Sequence, residues 1–516
     1  MKRRDFVRNL SLASMTVPFA FKNYNYEAIS KTLFNVPKMA EDRVLILIRL
    51  NGGNDGLNTI IPLDQYENLL LHRANIIQPE SSIISLNQTT GMHGAMTGMA
   101  NMFNEGKLSI IQNVGYPEQN RSHFRSMDIW TSGMMDVNAT QGWLGRSFDL
   151  NYPNFPTDYP NADFLDPFGI SMGYEVSATC QGLMGNFSHT VVNPFDAVNL
   201  SSTVGLNDGT YYGSHMEYLT NIIAQTNAYA SQVNAAANAG NTLSTLYDAS
   251  NPLSVQLQYI AQMISGGLKT KVYIVNINGF DTHDLQVNPN NATQGNHTML
   301  LKSLSDAVAA FQDDLALLGL EHKVAGMTFS EFGRQIAANA SNGTDHGDAA
   351  PLFLFGGCVS NGIYGSNPII PAQLQAQDAL PMQIDFRDIY ATVLKEWFLV
   401  DPTEIQSMFE HEVTFYNLLG SCNLGLDEFG AEKKKSIVFP NPAYSKITVK
   451  FESLDEWVKI DVIDLSGREL KSVFSGNLVP QTHLIPIDLD DLSAGNYRVQ
   501  IQKKSGNVSI AIVKVK

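Results

Sequence analysis

The chain has 516 residues, of which 44% are apolar and 16% are charged. This length and composition indicate more than one globular domain, each large enough to bury a core. The net charge of −16 argues against a nucleic-acid partner, because such a partner requires a basic surface. After the N-terminal region, no apolar run reaches the length of a membrane-spanning helix.

The N-terminus reads as an export signal over residues 1–30. The stretch Lys2–Arg8 is strongly basic, and Leu10–Phe21 is short and weakly apolar. The adjacent Arg3 and Arg4, followed by Asp-Phe-Val, resemble the twin-arginine signal, which implies the twin-arginine translocase as a partner and passage into the periplasm. A generic basic signal peptide is the alternative.

Four apolar runs in the central region have the composition of buried strands, and each one stops at a cluster of polar residues. These runs are Val44–Leu50, Leu108–Val114, Lys271–Ile277 and Val324–Phe329. Open α/β sheets carry their chemistry in the crevice beyond the carboxyl ends of the strands. The polar clusters are therefore expected to meet at one edge of a sheet.

Helical patterns separate these strands. Ser303–Leu318 has apolar residues close to a 3.6-residue period, and it lies between two of the strand-like runs. Strand, helix and strand in this order form the parallel crossover unit, which predicts an α/β domain over residues 40–425 with a mostly parallel sheet flanked by helices. Residues 151–250 are rich in Asn, Ser, Ala and Gly and are predicted to be an insertion or cap.

The C-terminal region changes character. After a charged linker at 426–436, short alternating strands separated by turns predict a small all-β sandwich over residues 437–516. Pro440-Asn-Pro, Asp464-Leu-Ser-Gly-Arg and Leu492-Ser-Ala-Gly-Asn-Tyr together resemble the C-terminal sorting domain of the type IX secretion system in Bacteroidetes. The resemblance implies the type IX machinery as a partner and export to the cell surface or medium, with outer-membrane attachment as one outcome. A plain carbohydrate-binding or adhesion module is the alternative.

The polar clusters after the strands contain the side chains that a metal-dependent hydrolase needs. Two metals about 4 Å apart can neutralise a phosphate or sulfate ester while holding the attacking and leaving oxygens. Carboxylates and imidazoles at strand ends are suitable ligands for such ions, here zinc, manganese or calcium. The predicted metal ligands are Asp55, Asp281, His283, Glu331, Asp345 and His346.

Four further residues are predicted to take part in catalysis. Ser122 lies at the start of a predicted helix and is the expected nucleophile, with Ser126 as its rival, and His123 adjoins it. Arg125 and Arg334 are expected to bind the anionic group in a forked, two-point contact. Structural alternatives exist: Ser122 could only cap the helix, Asp55 could only shape a turn, and Glu331 and Arg334 could form a structural ion pair.

The order of these motifs resembles the exported bacterial family known as domain of unknown function 1501. The resemblance rests on Leu50-Asn-Gly-Gly-Asn-Asp-Gly, Ser122-His-Phe-Arg-Ser, Gly279-Phe-Asp-Thr-His, Phe329-Ser-Glu-Phe-Gly-Arg and Thr344-Asp-His-Gly. It implies an alkaline-phosphatase-like fold, in a superfamily of alkaline phosphatases and sulfatases whose activity requires divalent metals. The chain departs from that superfamily at Phe332, where a histidine ligand is usual. No Cys/Ser-x-Pro-x-Arg pattern of sulfatases occurs near Ser122.

Three functions are compatible with these observations. The first is a secreted or surface-attached metal-dependent hydrolase of phosphate or sulfate esters, with an anionic ester as substrate. The second is a non-catalytic surface binding protein on the same fold, which the Phe332 departure favours. The third is a metal-dependent hydrolase of another bond, such as a glycan or peptide linkage.

Overall fold

The computed structural model describes residues 42–196, 209–420, 437–439, 443–453, 456–464, 468–479, 481–503 and 508–515. The predicted signal at 1–30 and linker at 426–436 lie outside the described residues. The chain divides into two compact units at residue 422. In the described residues, no helix is long and apolar enough to cross a membrane.

The larger unit is built on one nine-stranded sheet. The strands of this unit are β1 (Val44–Asn51), β2 (Ile60–Pro62), β3 (Ile84–Ser85), β4 (Thr90–Met92), β5 (Leu108–Gly115), β6 (Gly169–Met172), β7 (Ser188–Val191), β8 (Val272–Asn278), β9 (Val324–Phe329), β10 (Ala350–Phe355), β11 (Gly362–Tyr364) and β12 (Ile384–Asp385). Strands β2, β3 and β4 form a small three-stranded sheet, and the other nine form the main sheet. The main sheet has the order β11-β5-β10-β9-β1-β8-β6-β7, with β12 also pairing with β5. Its pairs are parallel except for the two that β10 makes with β5 and β9.

Helices cover both faces of this sheet. They are α1 (Tyr66–Arg73), α2 (Thr97–Asn104), α3 (His123–Ser132), α4 (Trp143–Asn151), α5 (Tyr211–Ala239), α6 (Pro252–Ser265), α7 (Asn296–Leu317), α8 (Phe386–Thr392) and α9 (Pro402–Ser407), with a π-helical segment at Val393–Trp397. The predicted mostly parallel sheet flanked by helices is confirmed.

The central strand β1 is apolar at nearly every position because it is buried on both sides. Leu45 and Leu47 pack in a core with α3, α4 and α8, on the α3 face of the sheet. Ile46 and Ile48 join a separate core with α2, α6 and α7, the α7 face. Alternate residues of one strand thus supply both cores, as the pleat requires.

The structure differs from the sequence expectation in several places. The span 151–250, predicted as an insertion or cap, contributes β6 and β7, which extend the main sheet beyond β8, and the whole of α5. The helix predicted at Ser303–Leu318 begins seven residues earlier, at Asn296. Strand β10 was not predicted.

The smaller unit is all-β. Its strands are β13 (Ile437–Phe439), β14 (Lys446–Ser453), β15 (Glu456–Ile463), β16 (Glu469–Leu478), β17 (Gln481–Asp488), β18 (Gly495–Lys503) and β19 (Val508–Lys514). They form a three-stranded and a four-stranded antiparallel sheet, and alternate apolar residues from both sheets share one core. The predicted small β-sandwich is confirmed.

Candidate functional site

The carboxyl ends of β1, β8 and β9 lie side by side, and the segments that follow them meet at one edge of the sheet. Gly52 and Gly53, directly after β1, have φ angles of +126° and +89°. A Cβ on Gly52 would lie 2.3 Å from the backbone nitrogen of Asp281, and a Cβ on Gly53 would lie 2.4 Å from the Phe332 ring. Only glycine allows the turn after β1 to approach the other two segments this closely.

Arg334 holds these segments together from inside. Its buried guanidinium donates to the carbonyl oxygens of Gly53 (2.8 Å), Thr344 (2.8 Å) and Phe280 (3.0 Å), and also to that of Gly52. It also pairs with Asp281 Oδ1 at 2.7 Å. The sequence predicted that Arg334 binds the anionic substrate group, but the structure places all three of its nitrogens in contact with protein atoms.

Three imidazoles are oriented through their Nδ1 atoms. The Nδ1 atoms of His123 and His283 lie 2.9 Å from Glu331 Oε1 and Asp345 Oδ1, respectively, and that of His346 lies 2.9 Å from the carbonyl oxygen of Arg121. Because each partner is an acceptor, we assign the proton to Nδ1 in all three rings. Each Nε2 then presents a lone pair, the arrangement that protein partners impose on metal-binding histidines.

These Nε2 atoms converge on the Asp281 carboxylate. The distances are 3.4 Å from His123 to Oδ2, 3.1 Å from His283 to Oδ1 and 3.2 Å from His346 to Oδ1. Ligand atoms of His123, Asp281 and His346 all lie within 4.8 Å of one another. Burial raises the pKa of Asp281, but the hydrogen bond and charge of Arg334 outweigh it and lower that pKa below its usual value. The imidazole nitrogens of His123 and His346 and the ionised Asp281 carboxylate form a donor set that fits a divalent transition metal, and His283 Nε2 lies 2.9 Å from His346 Nε2.

Phe332 closes the cluster on one side. Its buried ring lies 4.9 Å from the His123 ring and 4.5 Å from the His346 ring, measured between centroids. Among the described residues, His123, Asp281 and His346 are the one group of three or more His, Cys, Asp or Glu side chains close enough to hold an ion, and His283 lies beside them. Glu331 and Asp345, predicted as ligands, instead contact the far sides of the histidine rings. The mutually close ligand atoms form one set, whereas the sequence left the number of metal ions open.

Asp55 is placed outside this cluster. Its carboxylate is 1% exposed, and both of its oxygens lie 3.0 Å from Arg73 Nη1. Gln286 also donates to Oδ2 at 2.6 Å. Burial alone would raise the pKa of Asp55, but the charge of Arg73 lowers it below its usual value. In the structure this carboxylate is half of a buried ion pair beneath the turn after β1.

The predicted nucleophile and its rival differ in exposure. Ser122 is the exposed N-cap residue of α3, and its side chain makes no capping hydrogen bond. Ser126 is fully buried, and its hydroxyl donates to the carbonyl oxygen of Glu331 and accepts from Tyr116 at 2.9 Å. Arg125, predicted to bind the substrate anion, donates to the carbonyl oxygen of Met135 beyond the far end of α3.

Two site features escaped the sequence interpretation. His123 was predicted as a catalytic residue, whereas its Nε2 atom points to the same carboxylate as the other two histidines. Arg49, in an otherwise apolar stretch of β1, was not singled out at all. A lone charged residue near the carboxyl end of a buried strand was the available signal.

The fold and the site thus define a mixed α/β protein that has a histidine–aspartate cluster at the carboxyl ends of its central strands. Residues 42–410 match the family model described as "Protein of unknown function (DUF1501)", and the chain belongs to this family. Residues 437–515 match the secretion system C-terminal sorting domain, which implies export to the cell surface or the extracellular space. Comparison with curated proteins gives no match.

Similar solved structures include three from the alkaline phosphatase and sulfatase groups. One is a protein in the alkaline phosphatase superfamily from Vibrio parahaemolyticus, with 9% identity and a TM-score of 0.34, covering 96% of this chain and 90% of its own. Another is the PsFucS1 sulfatase from Pseudoalteromonas sp., with 10% identity, a TM-score of 0.30 and coverage of 87% and 84%. The third is the alkaline phosphatase from the Antarctic bacterium TAB5, with 11% identity, a TM-score of 0.26 and coverage of 63% and 95%.

Proposed function

We propose that the larger unit is a metal-dependent hydrolase of phosphate or sulfate esters that acts at the cell surface or outside the cell. The observation that carries this proposal is the convergence of three histidine Nε2 atoms on the Asp281 carboxylate. An exposed serine at the N-terminus of α3 lies next to one of these histidines in the chain.

The proposed ligands are His123, His283, His346 and Asp281, with Glu331 and Asp345 as the groups that orient the imidazoles. A donor set rich in imidazole nitrogens favours zinc, whereas manganese and calcium prefer oxygen ligands. Zinc is therefore the first candidate ion and manganese the second. When bound, the ion would neutralise negative charge on the transferred group and polarise it toward attack. Arg334 has a supporting role: it keeps Asp281 ionised and fixes the backbone of the adjoining turns.

Ser122 is the proposed nucleophile. The free N–H groups at the start of α3 stabilise negative charge on its hydroxyl oxygen. That oxygen forms a bond to phosphorus or sulfur as the bond to the alcohol oxygen breaks; the serine proton passes to solvent, and the departing alcohol takes one from solvent. A water molecule then cleaves the seryl ester, which releases the inorganic anion and restores the serine.

A non-catalytic binding protein is the second candidate, and the position of Phe332 favours it. An apolar ring packs against two of the proposed ligands where the related superfamily usually has a histidine. A single ion at such a site can hold an anionic ligand without activating it. Both proposed functions are those of an exported protein.

The proposed export route has two steps. The twin-arginine translocase would recognise Arg3 and Arg4, and the type IX machinery would recognise the C-terminal sorting domain. Replacing both arginines with lysine should block export, and deleting residues 437–516 should leave folded protein in the periplasm. Surface delivery of the truncated protein would contradict the second step.

The decisive experiment combines metal analysis with turnover. Full-length protein purified without chelator should contain one equivalent of zinc or manganese and should hydrolyse a member of a panel of aryl phosphate and sulfate esters. Ser122→Ala should abolish turnover while keeping the metal, and Thr131→Ala, in the last turn of the same helix, serves as the matched control. Metal-loaded wild type that hydrolyses no ester of the panel would favour the binding protein.

A further inference from the structure

Arg49 occupies an unusual position for a charged residue. It lies in β1 between the parallel strands β8 and β9, with Asn276 and Phe329 as its direct neighbours across the sheet. Leu45 and Leu47 face the α3 side of the sheet, and the alternation of the strand places Arg49 on the same side. Its side chain is half-buried, and it lies three residues before Gly52, where the turn toward the histidine cluster begins.

The hydrogen-bonding capacity of Arg49 is mostly unused. Nη2 donates to Asn51 Oδ1 at 2.7 Å, and Asn51 Nδ2 in turn donates to Asn278 Oδ1 at 2.8 Å. Nε is buried and has no hydrogen-bond partner among the described residues. The half-buried guanidinium is thus held by a single protein acceptor, so further N–H groups remain for a ligand.

The other arginines near the cluster are committed to protein partners. Arg334 donates to four carbonyl oxygens and Asp281, and Arg121 is paired with both oxygens of Asp348 at 2.8 and 3.0 Å. Arg125 reaches Met135 beyond the end of α3, away from Ser122. Arg49 is therefore better able to bind an incoming anion than the two arginines that the sequence singled out.

Arg49 and its amide partners connect directly to the histidine cluster. Asn51 precedes Gly52, whose N–H donates to Glu331 Oε1 at 2.9 Å, and the same oxygen orients His123. Because Asn278 Oδ1 accepts from Asn51, the exposed Nδ2 group of Asn278 is presented as a further donor. A guanidinium and an amide N–H₂ group thus stand on adjacent strand ends beside the cluster.

We propose that Arg49, Asn51 and Asn278 form the subsite that holds the anionic oxygens of the substrate, and that this subsite selects singly charged tetrahedral esters. This inference rests on the proposed function and specifies its substrate class. Sulfate monoesters and phosphodiesters carry one charge, whereas a phosphomonoester carries close to two above pH 7.

The selection for a single charge follows from the balance of charges around the subsite. Glu175 and Glu331 both act electrostatically on Arg49 and offset part of its positive charge. With Asp281 and Asp345, the number of negative charges rises to four. Arg49, Arg334 and one divalent ion supply four positive charges. These groups leave no excess positive charge, so a second negative charge on the ligand would be poorly compensated.

The test measures anion binding separately from turnover. Metal-loaded full-length protein is titrated calorimetrically at pH 8 with methyl sulfate, which carries one charge, and with methyl phosphate, which carries close to two. The variants are Arg49→Met, Arg49→Lys and Asn278→Asp. We expect Arg49→Met to weaken methyl sulfate binding at least tenfold with unchanged metal content, and Arg49→Lys to recover only part of it, because lysine lacks the fork. Asn278→Asp changes an exposed residue, so it tests the subsite even if the Arg49 variants fold poorly. Lys302→Met, on the exposed side of α7, is the charge-matched control.

Ester panels complete the test. We expect turnover of 4-nitrophenyl sulfate or bis(4-nitrophenyl) phosphate to exceed that of 4-nitrophenyl phosphate. Comparing the first two substrates shows whether the enzyme is a sulfatase or a phosphodiesterase. Methyl sulfate affinities of Arg49→Met and Asn278→Asp within twofold of wild type would overturn the subsite. Tighter binding of methyl phosphate than of methyl sulfate at pH 8 would overturn the charge selection. Methyl sulfate binding that depends on Arg49 without turnover of any ester would refute the hydrolase and retain the subsite.

Discussion

The Nε2 atoms of His283 and His346 lie 2.9 Å apart, although the two residues belong to different loops, 63 positions apart in the chain. Both rings have their Nδ1 atoms on acceptors, Asp345 for one and the Arg121 carbonyl for the other. Two imidazole lone pairs at this separation repel each other unless a proton or a cation lies between them. A shared metal ion, with Zn–N bonds of about 2.0–2.1 Å, would turn this repulsion into coordination.

Metal removal should therefore destabilise the larger unit. Chelation should lower its melting temperature, and zinc or manganese should restore it, because an ion at 100 times its Kd adds about 2.7 kcal/mol to the free energy of unfolding. His346→Ala should lose both the bound metal and this response. His411→Ala removes a histidine that is paired with Asp388, outside the cluster, and should retain both. A melting temperature that chelator does not change would contradict the metal site.

The carboxylates behind the histidines should tune metal affinity without being ligands. Glu331→Gln and Asp345→Asn should each weaken metal binding about 10–100-fold, as is typical for groups that orient a ligand, and the stoichiometry should stay at one per chain when metal is saturating. Competition with a chromogenic chelator measures the affinity. Loss of half the bound metal at saturation would instead indicate two ions, one of which has a carboxylate ligand.

The sequence predicts those parts of the site that depend on neighbouring residues in the chain, and it does not predict the parts that depend on distant ones. The strand ends at Leu50, Ile277 and Phe329 could be predicted because buried parallel strands are continuous apolar runs followed by glycine or polar residues. The pairing of Asp55 could not, because its partner Arg73 lies 18 residues away on a different element. A turn aspartate that binds a metal and one that is held by a buried arginine have the same local sequence.

Two of the strands that were not predicted, β10 and β16, show why their sequences carry no clear strand signal. Strand β10 contains Pro351, and proline argues against an interior strand because it cannot donate to a ladder; the structure accommodates it at a register shift between Ala350 and Leu352. Strand β16 has few apolar residues, since much of it is exposed at the edge of its sheet. Propensity and periodicity report burial on one face, so an exposed edge strand gives little signal.

The buried pair of Asp55 and Arg73 should stabilise the fold rather than bind metal. Asp55→Asn should lower the free energy of unfolding by about 3–5 kcal/mol, because it leaves the buried guanidinium charge uncompensated. The folded fraction should still bind one metal ion. The control is Asp306→Asn, which breaks the exposed pair with Lys302 on α7 and should cost no more than about 1 kcal/mol. A stable Asp55→Asn protein without metal would show that Asp55 is a ligand after all.

Acidification should weaken the larger unit through two buried histidines on its α7 side. Burial lowers the pKa of His93 to about 3 and that of His297 to about 4, and the two rings face each other at 6.2 Å between centroids. The His297 Nε2 atom donates to Asn54 Oδ1, while the buried Nδ1 atom has no acceptor among the described residues, so the neutral ring is the form that fits. In the unfolded chain both residues titrate near pH 6.5, so between that pH and the folded values the unfolded state binds more protons.

The sign follows from this difference in bound protons. The stabilisation is fully present above about pH 6.5, and the free energy of unfolding falls as the pH drops from about 6.5 toward 4. Each histidine contributes at most about 1.4 kcal/mol per pH unit. Denaturant unfolding at pH 7.5, 6 and 5 measures the slope of the free energy of unfolding against pH. The protein is metal-free so that protonation of the metal ligands does not contribute through loss of the metal. His297→Gln, which retains a donor for Asn54, should reduce the slope by up to the contribution of one proton. An unchanged slope in this variant would show that His297 is already protonated in the folded protein.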